Sequence, residues 1–148
     1  MVFNSKVSWT GTSTQCDAVS GTHTVRIDEP PALGGTNTGM NPVELLLSSL
    51  GGCLIVLVHS FASTYEVDVK GVSVDVEGDL DPDGFMGRAP VRAGFSEIRY
   101  KVNVDSDSDP EKIAALIAHA ENSCPIKDTL SGVPVNPMPE EELVAESI

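Results

Sequence analysis

The sequence predicts an α+β fold, and three observations carry that expectation. Alternating or β-branched runs occupy its start and its middle, one long apolar helix lies between them, and a pair of helices follows toward the C-terminus. A chain of 148 residues with 41% hydrophobic and 21% charged content is read as one domain, residues 1–148, large enough to bury a core without disulfide staples.

Each element has its own justification. The first thirty residues read as three strands separated by turns: KVSWTG (6–11) and THTVRID (22–28) alternate or are β-branched, and VSGT (19–22) has turn chemistry. The polar, glycine-rich stretch EPPALGGTNTGM (29–40) is a loop. A helix then opens on Asn41 as N-cap, Pro42 at the first helical position and Glu44 at the capping-box position, and is expected to run to about Ser63. YEVDVKGVSVDVEGDL (65–80) alternates like an antiparallel strand with one wet face, DPDGFMGRAP (81–90) is a turn-rich connection, and SEIRYKVNVDSD (96–107) pairs back. DPEKIAALIAHAENS (109–123) has an Asp N-cap, Pro at the first position and Ile113, Leu116, Ile117 and Ala120 at helical spacing. CPIKDTLSG (124–132) reads as a break and a short helix ended by Gly132, and the tail adds a short strand before fraying.

Composition removes several function classes. A net charge of −13 repels nucleic-acid phosphates and anionic membranes, so neither is an expected partner. The N-terminus lacks the basic and apolar regions of a secretory signal, and the longest uncharged apolar run, Leu45 to Val58, is short of the roughly 20 residues of a membrane span. Three cysteines in such a chain argue against a disulfide framework and for a reducing cytoplasm, where a functional cysteine pair is redox-active. Cys16, Cys53, Cys124, His23, His59 and His119 contain no ligand spacing, so no metal or bound cofactor is expected. GGTNTG (34–39) lacks both phosphate-loop patterns, and no nucleophile elbow is present.

The long helix is apolar on nearly every side, and such a helix must be buried all round. Five or six strands and one other helix cannot wrap it, so a homodimer with two-fold symmetry is expected.

Two cysteines attract attention. Cys53 sits in the middle of the apolar helix behind Gly51 and Gly52, each of which costs a helix about 1 kcal/mol relative to alanine. Those glycines imply a close approach by another helix backbone or by a substrate, and Ser49 lies one turn before Cys53 on the same face. Cys53 is either a small core hydrophobe or a thiolate in a dry pocket. Cys124, before Pro125, is an expected N-cap, where free backbone N–H groups favour an anion; the plain alternative is a helix start with Cys in place of Ser.

GGTNTGMNPVELLLSSLGGC, followed about seventy residues later by ENSCPIKDTL, resembles the OsmC/Ohr family of osmotically inducible and organic hydroperoxide resistance proteins over nearly the whole chain. The resemblance implies an intertwined α+β homodimer, with a long buried central helix and active sites at the subunit interface. It implies a thiol peroxidase acting on organic hydroperoxides, with Cys53 as peroxidatic nucleophile and Cys124 as resolving cysteine, and an external dithiol reductant that in the family is typically lipoyl-linked. Ohr-type members carry an Arg in an early turn and a Glu directly after the helix-opening Pro. Here TGTSTQCDAVSG contains no Arg, Arg26 lies further on in a strand, and Val43 follows Pro42, with Glu44 one residue later. Glu44 is therefore a candidate for a catalytic carboxylate or for a helix cap, about 180° around the helix from Cys53. The chain resembles the broader OsmC-like branch more than Ohr proper. The rival expectation is a non-catalytic dimer of the same fold that binds a small apolar or thiol-bearing ligand at its interface.

Overall fold

A computed structural model describes residues 1–138. The chain divides into two compact units, one ending at Leu46 and one beginning at Leu47.

In the first unit, β1 (Lys6–Trp9), β2 (Cys16–Ser20) and β3 (His23–Ile27) form an antiparallel sheet in sequence order. The turn between β2 and β3 needs Gly21, whose φ of 58° is left-handed. Register sorts the side chains by face: Val7, Ala18 and Val25 form one cross-strand row and Trp9, Cys16 and Ile27 the next, while Ser8, Asp17 and Arg26 lie on the opposite side. The apolar face is uncovered within this unit, and Trp9 is 68% exposed.

The loop after β3 is organised by Asp28, a carboxylate only 1% exposed. Its Oδ1 accepts from the Thr14 hydroxyl at 2.8 Å and the Glu29 N–H at 2.9 Å; its Oδ2 accepts from the N–H and hydroxyl of both Thr36 and Thr38 at 2.6–3.1 Å. Burial pushes this carboxyl up, but the hydrogen bonds from Thr36, Thr38 and Thr14 outweigh it and hold the group below the usual carboxylate range. The GGTNTG segment thus donates its amides to a carboxylate of its own chain.

Helix α1 (Pro42–Phe61) opens on a reciprocal capping box: Asn41 N–H donates to Glu44 Oε2 at 2.8 Å and Glu44 N–H to Asn41 Oδ1 at 2.9 Å. It ends two residues before the expected Ser63, where Tyr65 and Val67 N–H groups close its last turn onto Phe61 and Ala62 carbonyls.

In the second unit, β4 (Gly71–Asp79) and β5 (Glu97–Asp105) pair antiparallel over nine residues, and β6 (Val135–Pro137) adds parallel to β5. The β4 strand begins six residues later than its sequence suggests. Val67 and Val69 continue the alternation and pack on the core, but ladder pairing starts only at Gly71 opposite Asp105. Between the strands, α2 (Pro82–Phe85) is capped by Asp81, a short helix where only a loop is expected. Leu50, Gly51, Leu54 and Val58 form the buried stripe of α1, and Val58 clusters with Val67, Leu116 and Ala120. Full burial of residues such as Leu50 and Leu54 contributes roughly 1.5–3 kcal/mol each.

Gly51 and Gly52 have different surroundings. A Cβ on Gly51 would sit 3.3 Å from Val76 Cγ2, so the close approach expected there is made by strand β4, not by a helix or substrate. Gly52 faces open space. By length and composition α1 is apolar enough to cross a membrane, with a mean hydropathy of 1.8 and 22% of that window buried in this chain. The packed Leu50–Val58 stripe gives it the role of a core helix, with its other side left bare: Val56 is 63% exposed.

Helix α3 (Pro110–Ser123) starts on Asp109, whose side chain accepts the Glu111 N–H, and α4 (Pro125–Thr129) follows at once. The expected short strand in the tail is β6; the expected fraying beyond Met138 lies outside the described residues.

Candidate active site: a thiol pair beside a polar cleft

Cys124 closes α3 as its C-cap and opens α4 as its N-cap, with φ −75° and ψ 109°. Pro125 disfavours a helical conformation for the residue before it, which is why one helix becomes two at this point. The break aims the Cys124 side chain at α1: its Sγ lies 3.1 Å from Cys53 Sγ, across 71 residues of sequence. Both thiols are free; Cys53 is half-buried and Cys124 is 2% exposed.

Two successive amides of α4 serve the two sulfurs. Lys127 N–H donates to Cys124 Sγ at 3.4 Å, and the Ile126 N–H lies close enough to Cys53 to favour its thiolate. Burial, first, and the thiol–thiol contact with Cys124 push the Cys53 thiol up; the Ile126 N–H opposes them without cancelling them.

Behind Cys124 stands Tyr100, on β5 and 1% exposed. Its hydroxyl accepts from Lys127 Nζ at 3.1 Å, and Lys127 lies 5.4 Å from the ring centroid. The Glu121 carboxylate stands beside the same phenol; burial, then that carboxylate, raise its pKa, so the phenol stays protonated. A cleft of about 270 Å³ opens alongside, lined among others by Glu121, Asn122, Cys124, Lys127, Ser131 and Val135.

The pairing of a mid-α1 cysteine with a Cys-Pro helix start coincides with a sequence match: a family model described as OsmC-like protein covers residues 35–137. The chain belongs to the OsmC-like family. Solved structures agree in fold. An OsmC-like protein of Mycoplasma pneumoniae superposes with a TM-score of 0.78 at 20% identity, covering 93% of this chain and 96% of that one. An OsmC-like protein of unknown function from Vibrio cholerae gives 0.78 at 13% identity, over 93% and 98%. An organic hydroperoxide resistance protein of Legionella pneumophila gives 0.63 at 19% identity, over 93% and 96%. Comparison with the curated proteins gives no match.

Within this OsmC-like site, the sequence-predicted residues divide. Cys53 and Cys124 are brought together. The Glu44 carboxylate is engaged by the Asn41 amide in the helix cap. Arg26 pairs with Asp17, its direct neighbour across the β2–β3 ladder, at 2.5 Å, and Cys16 sits in a ladder row between Trp9 and Ile27. Among the described residues no cluster of three His, Cys, Asp or Glu side chains is placed to hold a metal ion. Tyr100, Glu121 and Lys127 were missed. Glu121 and Lys127 flank Cys124 at three residues on either side, a spacing visible in the sequence; Tyr100 reaches the site only through strand pairing.

Proposed function

We propose that this OsmC-like protein reduces organic hydroperoxides to alcohols. The observation that supports it is the 3.1 Å approach of Cys53 and Cys124 in the absence of a bond between them. The Cys53 thiolate attacks the distal oxygen of ROOH; the O–O bond breaks, ROH leaves with a proton, and Cys53 becomes a sulfenic acid. Cys124 then attacks the sulfenic sulfur and expels hydroxide, which leaves as water, forming the Cys53–Cys124 disulfide. An external dithiol returns two electrons. Cys53 is the peroxidatic and Cys124 the resolving residue; Glu44 acts as a cap. Free thiols suit a reducing cytoplasm. A symmetric pair of chains covers the bare side of α1 and the apolar face of the first sheet.

One observation favours a second reading. The Cys53 thiol is raised, not lowered, as a buried structural cysteine would be. On that reading the dimer binds a small apolar or thiol-bearing ligand without turnover.

Peptide mapping after one equivalent of cumene hydroperoxide separates the two. A rapid Cys53–Cys124 disulfide, absent in Cys53→Ser and reversed by dihydrolipoamide, is the expected result. Three thiols still free would leave the ligand-binding reading standing.

A further inference from the structure

The two sulfurs differ in what they face. The cleft has Cys124 in its wall, together with Asn122, Lys127 and Ser131, whereas Cys53 does not line it. Cys53 projects from α1 and is half-buried, three residues before the exposed Val56. The sulfur that meets the peroxide and the sulfur that meets the cleft are therefore distinct.

We propose that this cleft admits the reducing thiol, and that the reductant attacks Cys124, not Cys53, of the oxidised pair. The proposal rests on the peroxidase reading for its place in a cycle. Thiol–disulfide exchange needs the attacking, central and leaving sulfurs in a line. A thiolate in the cleft meets Cys124 first, with Cys53 beyond it at the leaving position. The Lys127 ammonium in the cleft wall, anchored on the Tyr100 hydroxyl at 3.1 Å, favours the thiolate form of the incoming group. Attack forms a bond between the reductant sulfur and Cys124 and releases Cys53 as a thiolate. The second thiolate of a dithiol then attacks the reductant sulfur of that mixed disulfide, closing its own disulfide and releasing the Cys124 thiolate. The dithiol loses two electrons, the pair gains two, and two protons pass to the two thiolates. With a space of about 270 Å³ and Cys124 only 2% exposed, the reductant is a slender thiol on a small molecule or on an extended side chain, not a dithiol presented on the flat surface of a folded protein.

The test begins with diamide, which takes two electrons and two protons from the pair and so forms the disulfide without peroxide. Excess N-acetylcysteamine, an uncharged monothiol, is then added, and the reaction is quenched in acid within seconds and mapped. The expected product carries the adduct on Cys124 with Cys53 free. An adduct on Cys53 overturns the proposal, as does failure of diamide to join the pair. In parallel, Ser131→Trp and Asn122→Trp place an indole in the cleft from exposed positions. Reduction of their diamide-formed disulfide by dithiothreitol is expected to slow at least tenfold, with circular dichroism checking the fold; an unchanged rate in both overturns the proposal. A pair that diamide joins but hydroperoxide does not would end the peroxidase reading, while the adduct site would still decide this one.

Discussion

At the scale of the residue, ionisation decides what Cys53 can do. Only the thiolate attacks a peroxide, and burial holds the Cys53 proton on more tightly than in a free thiol of pKa about 8.5, with the Ile126 amide pulling the other way. Because the pKa is raised, the reactive form accumulates as pH increases. The rate of Cys53 oxidation by cumene hydroperoxide is expected to climb through and beyond pH 8.5, without a plateau near neutrality; stopped-flow rates between pH 6 and 10 check this, and a plateau below pH 7 would contradict it. Glu44 can be tested by shape against charge. Glutamine keeps an oxygen for the Asn41 amide, so Glu44→Gln is expected to leave the oxidation rate within twofold. Glu44→Ala opens the capping box and lowers stability by about 0.3–1.5 kcal/mol in denaturant unfolding. A large rate loss in Glu44→Gln would return the carboxylate to the chemistry.

At the scale of the element, the site depends on a helix that stops. Pro125 keeps Cys124 extended; without it α3 and α4 are free to run on as one helix that carries the sulfur away from α1. Pro125→Ala is expected to slow diamide-driven disulfide formation about tenfold while leaving helix content equal or higher, and an unaltered rate would show that the turn holds without proline. Helix starts of this kind were legible because their signals are local: Asn41 with Pro42 and Glu44, Asp109 with Pro110, and Cys124 with Pro125 all mark observed starts. The same Asp-Pro pair at Asp81 and Pro82 starts the short α2, which Gly84 and Gly87 kept looking like a turn. The beginning of β4 was not legible, because Val67 and Val69 alternate as strand residues do while what makes a strand is a partner, and theirs begins at Gly71. Local signals singled out Cys53 and Cys124 one at a time, but only the family pattern joined them as a pair. The Tyr100–Lys127 contact depends on β5 and α4 meeting, which no local signal encodes. Asp28, in turn, looked like the end of a strand; its role depends on hydroxyls from Thr14, Thr36 and Thr38 converging on it.

At the scale of the whole molecule, two apolar faces are left bare, one carrying Trp9 and Val25 and the other Val56. A single chain exposing both is poorly suited to water, and the proposed dimer would cover both. Val56→Glu tests this: at a position 63% exposed in one chain a glutamate costs the fold little, but buried against a partner it carries an unpaired charge. Sedimentation is expected to show a dimer for the native protein and a monomer for the variant; a native monomer at micromolar concentration would remove the dimer from the account. The thiol contact, finally, bears on the pace of the proposed peroxidase cycle. The sulfurs stand 3.1 Å apart, and bonding brings them to about 2.05 Å, so the oxidative step spans roughly an ångström of side-chain travel. On the peroxidase reading, that distance asks only side-chain movement of the two thiols to complete the bond. Turnover on that reading is paced by ionisation and by encounter with small molecules.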